Sequence, residues 1–399
     1  MTNEELRAIE SAARAKDLEQ LKTVAEQATA AKDFQDYTLT STISQLIKSE
    51  QYDVLDLFIK KGFIETDLYL YDRFDTTVIN TLLRLHVLQV PDLDAYLTWF
   101  ETFVARIDDM NEEVAGITLL NYAMEVDAPL ALLKILVKQG ADLHRKDKYD
   151  QTLLYKVCNF GRKPEVYRRE LVLWLLDEGV AIEAANVEGN TPLHVAVRLR
   201  DATLIKILLD AGANPTTENK QGETAFFHAA VFQFDAELVA LFFQYQTPDF
   251  FALTKQRENL LNGFLRAMVY ENEENYKILD LLLDHGADLK DPSDYYHAPK
   301  TGVDWVVEKS FRLLEHLVHR GAIDVEHRDN EGNTLLHKVC MLDLNYDEPK
   351  AKELYRKVKF LLQQGVDSQV ENTADKKAVD YAMGDNLKAK TVELLLAQE

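Results

Sequence analysis

A chain of 399 residues that is 47% hydrophobic and carries only 9 prolines has material for a large core and lacks the composition of a disordered segment. Its net charge of -22 disfavours nucleic acid and anionic lipid as partners and leaves a basic protein surface as the favoured one. Cys158 and Cys340 make no disulfide framework, and apolar stretches such as LALLKILVKQG are too short and too charged to span a bilayer, so a soluble, cytoplasmic protein is expected.

In chain order, ELRAIESAARAKDLEQLKTVAEQ predicts two short helices, and LTSTISQLIKSEQYDVLDLFIKKGF predicts a second pair that closes at Gly62. Residues 76–110 predict a third, longer pair broken near Pro91. From 116 the plan becomes a visible repeat. Its segments are TLLNYAM at 118, TLLYKVC at 152, TPLHVAV at 191, TAFFHAA at 224, NLLNGFL at 259, TGVDWVV at 301, TLLHKVC at 334 and KAVDYAM at 377. Apolar or small residues at the third, sixth and seventh positions fall on one helix face, Thr at the start suits an N-cap, and Pro192 sits where a first-turn proline costs nothing. A second apolar run follows each segment and ends, in most copies, at a glycine suited to a left-handed helix close: Gly140, Gly179, Gly212, Gly286, Gly321 and Gly365.

This alignment disposes of an apparent site. His337 and Cys340 have the spacing of a ligand pair, but Cys340 occupies a position held elsewhere by Met124, Val197 or Ala230, and His337 one held by Asn121, Tyr155 or Asp304. Both are expected to be structural, since a metal would need further ligands and none is nearby.

Helix, turn, helix, Gly-Ala and extended hairpin, with GNTPLHVAV followed by LLDAGANP as the best copy, resemble the ankyrin repeat family. The resemblance is specific at 189–221, extends over 116–399 with degenerate copies, and is loose over 1–115. It implies an all-α fold: an ankyrin-repeat solenoid of stacked helix-turn-helix units with hairpin loops, about eleven repeats including divergent caps. The division expected is 1–115, divergent repeats with a cap, and 116–399, ankyrin repeats with a C-terminal cap. The resemblance also implies that His194 and His337 are scaffold parts. Asp304 and Asp380 depart from that histidine, and LFFQYQTPDFF at 241–251 lacks the closing glycine.

No P-loop, GxSxG, HExxH or CxxC string occurs, so no enzyme and no cofactor or metal is expected. The function expected is a protein–protein interaction scaffold, monomeric when free, that takes a macromolecular partner on its concave face. A bacterial immunity protein occluding a secreted toxin is one alternative, and a divergent metal enzyme built around His316 is another. The family implies contact positions at the hairpin tips: Lys148, Tyr149, Val187, Glu188, Lys220, Gln221, Asn330 and Glu331. The longer loop DYYHAPK adds Tyr295, Tyr296 and His297 as anchors or, for the tyrosines, as a cover over the next copy. Arg198 and Arg200, with Arg162, Lys163, Arg168 and Arg169, form a basic group that suits a carboxylate-rich partner or marks solvated helix ends. Insertions at 159–170, 269–277 and 342–357 lie between paired helices, where they can lengthen helices.

Overall fold

The computed structural model describes residues 3–15, 17–27, 37–85, 90–296 and 298–398. Its contacts gather into two compact units, Met1–Val187 and Glu188–Glu399.

In the first unit the helices come in pairs: Asn3–Ala15 with Leu18–Gln27, Tyr37–Lys48 with Tyr52–Lys60, Val78–Leu83 with Leu93–Val104, Leu119–Glu125 with Leu130–Lys138, and Leu153–Cys158 with Glu165–Asp177. Asn3–Ala15 lies on Tyr37–Lys48 and Leu18–Gln27 on Tyr52–Lys60, so first helix meets first helix and second meets second. Each pair can bury its apolar faces only against the next, and each buried leucine contributes about 1.5–3 kcal/mol. The helix Leu93–Val104 buries Tyr96, Trp99, Phe100 and Phe103 as a run of ring contacts 5.7–6.0 Å apart.

The second unit continues with Pro192–Arg198 and Ala202–Asp210, then Leu260–Ala267 and Glu273–Asp284, Gly302–Glu308 and Phe311–His319, and Leu335–Cys340 and Glu348–Gln363. It ends in the short 3-10 turns Ala378–Tyr381 and Asn386–Lys388 and the helix Ala389–Leu396. One copy departs from the plan: Ala225–Phe227 is α-helical, but His228–Gln233 widens into a π-helix before Ala236–Phe243. The wide turn ends in a left-handed residue, Phe234 at φ 53°. A two-stranded antiparallel hairpin, Pro292–Tyr295 paired with Ala298–Thr301 in the register Pro292 to Thr301, accommodates the longer loop.

The local signals explain these elements. Thr118, Thr152, Thr224, Asn259 and Thr301 cap their helices by accepting the N–H three residues on. Gly62, Gly140, Gly179, Gly212, Gly286, Gly321 and Gly365 all take positive φ at helix ends. The insertions lengthen second helices, which reach 13 residues at Glu165–Asp177 and 16 at Glu348–Gln363 against 9 at Ala202–Asp210. The helix Ala236–Phe243 ends without its glycine and with no left-handed residue over 244–250, yet the link still forms the tip turn, where Arg257 at φ 62° donates to the Thr254 carbonyl as Gly222 does to that of Asn219.

Candidate partner-binding face

The fourth position of the repeat segment, third in the helix, fastens its repeat to the next hairpin in three copies. In His194 the Nδ1 atom accepts from the Thr191 amide at 3.2 Å, which leaves the proton on Nε2 to donate to the Glu223 carbonyl at 3.2 Å. His337 repeats this with the Thr334 amide at 3.2 Å and the Lys376 carbonyl at 2.9 Å. Asn262 reaches the Asp291 carbonyl and the Ser293 hydroxyl at 2.9 and 2.7 Å. Asp304 accepts from the Thr301 amide at 2.8 Å and, lacking a donor for the next hairpin, pairs instead with Lys338 at 2.7 Å. Burial pushes His194 down to about 4, so it is neutral in the fold. Cys340 is fully buried, and burial pushes its thiol up to about 12.

The fifth position of the segment, and in one copy the eighth, binds the hairpin of its own repeat. Lys156 pairs with Asp147 at 3.1 Å, Lys338 with Asp329 at 2.8 Å, and Arg266 with Glu258. Burial opposes the Asp147 carboxylate, but donors from the Gln151 and Tyr149 amides and Lys156 outweigh it and hold its pKa below the usual range. At the long hairpin the Lys300 ammonium lies 3.4 Å from the centroid of Trp305 and 4.9 Å from that of Tyr295, whose ring is 4.8 Å from Trp305.

The hairpin tips themselves are joined by main-chain bonds. The Val187 amide donates to the Tyr149 carbonyl at 2.9 Å in the first unit. In the second unit Lys220 donates to Glu188 at 2.9 Å, Lys255 to Gln221 at 2.7 Å, Asp294 to Arg257 at 3.1 Å and Thr373 to Glu331 at 2.9 Å. The tips therefore have fixed backbones. Lys148, Tyr149, Glu188, Lys220, Gln221, Asn330 and Glu331 are all exposed. The two tyrosines of the long loop part company: Tyr295 folds back on Trp305, half-buried, whereas Tyr296 stands 84% exposed at the turn. His297 lies outside the described residues.

Arg198 and Arg200 are not brought to these tips. Arg198 ends and Arg200 follows the helix that begins beside the tip at Glu188, about 10 Å away along its axis, and Arg200 donates to the Gln233 carbonyl at 3.4 Å. In the first unit Lys163 pairs with Asp127 at 2.8 Å and Arg168 donates to the Lys163 carbonyl at 3.3 Å. His316 donates from Nε2 to the Asp280 carboxylate, 2.9 Å away, and stacks on Tyr276 with centroids 5.2 Å apart, so its ring joins two second helices. Among the described residues no group of three or more His, Cys, Asp or Glu is placed to hold a metal ion, and no helix is long and apolar enough to cross a membrane.

A set of structural contacts had no counterpart in the repeat pattern. Carbonyls at the ends of first helices receive a polar side chain from the following repeat: Glu125 from Lys163, Val197 from Gln233 at 2.5 Å, Met268 from Lys309 at 2.5 Å, Val307 from Lys357 at 2.6 Å and Cys340 from Lys388 at 2.8 Å. These donors satisfy carbonyls that a helix end leaves without partners.

The family model for ankyrin repeats matches residues 119–219 and 167–250. A protein of Acanthamoeba polyphaga mimivirus named for ankyrin repeats is 28% identical over 220 residues, covering 53% of this chain and 26% of the relative. One of fowlpox virus, also named for ankyrin repeats, is 26% identical over 155 residues, covering 39% of this chain and 43% of the relative. The aligned regions thus span less than half of either relative. Among solved structures, the ankyrin repeat domain of Bcl-3 matches with a TM-score of 0.49 and 20% identity, covering 63% of this chain and 100% of that one. With the Thr caps, the bridging His194 and the left-handed glycines in place across the matched region, residues 119–250 of this chain are ankyrin repeats.

Proposed function

We propose that the chain is a non-enzymatic scaffold that holds a macromolecular partner against its hairpin tips and first helices, the concave side of an ankyrin array. Lys148, Tyr149, Glu188, Lys220, Gln221, Tyr296, Asn330 and Glu331 are the contact residues, with Tyr295 supporting Tyr296 from below. The observation that carries this reading is Tyr296: a large ring left 84% exposed on a hairpin whose base is fixed by Tyr295, Trp305 and Lys300. A preorganised aromatic on a rigid base loses little entropy on binding and makes an effective anchor. The net charge of -22 favours a partner with a basic surface and speeds its approach. The free chain is a monomer and works in the cytoplasm on this reading.

The test is a photo-crosslinking residue placed in turn at Tyr296, Tyr149 and Leu173, the last being a half-exposed residue of a second helix. Adducts with one protein at Tyr296 and Tyr149 but not at Leu173 are expected. Purified, that protein is expected to bind the Tyr296→Ala variant about tenfold more weakly at unchanged thermal stability. Adducts forming equally at Leu173, or an affinity untouched by Tyr296→Ala, would remove the tips from the binding site.

A further inference from the structure

The opposite edge of the second unit, where first helices turn into second helices, carries a different surface. The turn at 268–272 and the turn at 341–347 are long, and the turn between them, Lys309 and Ser310, is short. The short turn recedes between its neighbours and leaves a cleft of about 650 Å³, with Val269, Leu342 and Leu344 among its lining. Val269 in its lining is 74% exposed, and on the two long turns the sequence neighbours of lining residues are barer still, Tyr270 at 85% and Tyr346 at 98%. Tyr346 is also held there at a cost, because Asn345 and Tyr346 are both left-handed, at φ 49° and 62°. For a bulky residue that conformation is a genuine outlier, and such strain gathers at ligand-binding segments.

The charges of the cleft are sorted. Two of its lysines are spent inward, Lys309 on the Met268 carbonyl and Lys357 on the Val307 and Lys309 carbonyls. Asp343 and Glu308 face outward at the lining, Glu308 sharing one oxygen with Lys300 at 2.7 Å. Beyond the rim Glu348 stands exposed, while Glu273 and Glu274 are already paired, with Arg312 and Lys277. Of the three lysines in the lining only Lys350 is not bonded inward, so an anionic occupant would meet Asp343 and Glu308 with little counter-charge, whereas a cationic one would find partners for its charge and an apolar seat for its stem.

We propose that this cleft is a second docking site, independent of the hairpin tips, for a basic amphipathic segment of a partner protein. An aliphatic side chain of that segment seats over Val269, Leu342 and Leu344. Its arginine or lysine heads meet Asp343 and Glu308, and Tyr270 and Tyr346 offer their ring faces to the cations.

The test uses the full chain and a fluorescent, synthetic amphipathic peptide of leucine and arginine, with a twin carrying glutamate for arginine, followed by anisotropy. The arginine peptide is expected to bind at least about tenfold more tightly than its twin. The pair Asp343→Asn with Glu308→Gln, and separately Tyr346→Ala, are each expected to weaken binding about fivefold or more, while Tyr296→Ala leaves it unchanged. A control pair, Glu218→Gln with Glu237→Gln, removes the same charge elsewhere in the unit. Equal weakening in that control would reduce the effect to diffuse attraction and overturn the proposal, as would unchanged binding in the cleft variants or no binding at all.

Discussion

His194 shows how one side chain can set both a local and a long-range contact. Its ring is 3% exposed and serves as acceptor to its own cap and donor to the next hairpin, and it can do both only when neutral. Protonation is therefore easier in the unfolded chain, near 6.5, than in the fold, near 4. The sign follows: the contribution is whole above pH 6.5 and is lost as the pH falls toward 4, about 3 kcal/mol in all. Urea unfolding at pH 7 and pH 4.5 is expected to show this loss, and His194→Gln is expected to be less stable at pH 7 but to fall less steeply with acid. A steeper fall in the variant would rule out the neutral ring. Glycines offer a second contrast at this scale. A methyl group at Gly189 would stand 2.7 Å from the Lys220 amide nitrogen, whereas at Gly212 it would meet nothing within 4 Å. Gly212→Ala is expected to cost only its left-handed backbone, about 1–2 kcal/mol, and Gly189→Ala distinctly more, because it also forces apart the tips that Lys220 and Glu188 join; matched thermal melts would show the order.

Among the elements, the helix ends differ most from what a repeat consensus conveys. Thr caps and closing glycines were legible because each acts within a few residues of its own position, and eight aligned copies make the pattern plain. The donors to the helix-end carbonyls were not, since Lys163, Gln233, Lys309, Lys357 and Lys388 come from a turn, a π-helix, a helix end, the middle of a long helix and a 3-10 turn. Sharing no register, they leave no periodic trace. Nor could TAFFHAA announce its π-helix, beside which Phe227 and Phe232, five residues apart, meet with ring centroids at 5.5 Å. Burial pushes Lys357 down to about 8, a sign of how costly such a donor is to enclose. Lys388 is 5% exposed and bonds the Cys340 carbonyl, so Lys388→Ala is expected to lower unfolding free energy by about 1–3 kcal/mol in urea, while Lys390→Ala at the surface stays within about 0.5 kcal/mol. Equal effects at the two lysines would deny the capping role.

For the molecule as a whole, the excess of 67 acidic over 45 basic residues is a standing self-repulsion that salt relieves. Raising sodium chloride from about 10 to 200 mM, a span over which the Debye length drops from about 30 Å to below 10 Å, is expected to raise the melting temperature; a fall would mean that ion pairs outweigh the repulsion. The chemistry-bearing residues of the sequence divided at this scale. The tips were readable from repeat phase, as was the scaffold role of His337, but the separation of Tyr296 from Tyr295 needed Trp305, and the cleft at 308–345 needed three turns of unequal length side by side. The tip-to-tip bonds add a last point. Peptide groups make every one of those joints, with side chains adding to two of them, Arg257 with Asp294 and Thr373 with Glu331, and the longer hairpin keeps its joint at Asp294 while growing outward beyond it. The outward side chains can thus be rewritten residue by residue without loosening the spine, so what such a chain recognises can drift far while what holds it upright stays put.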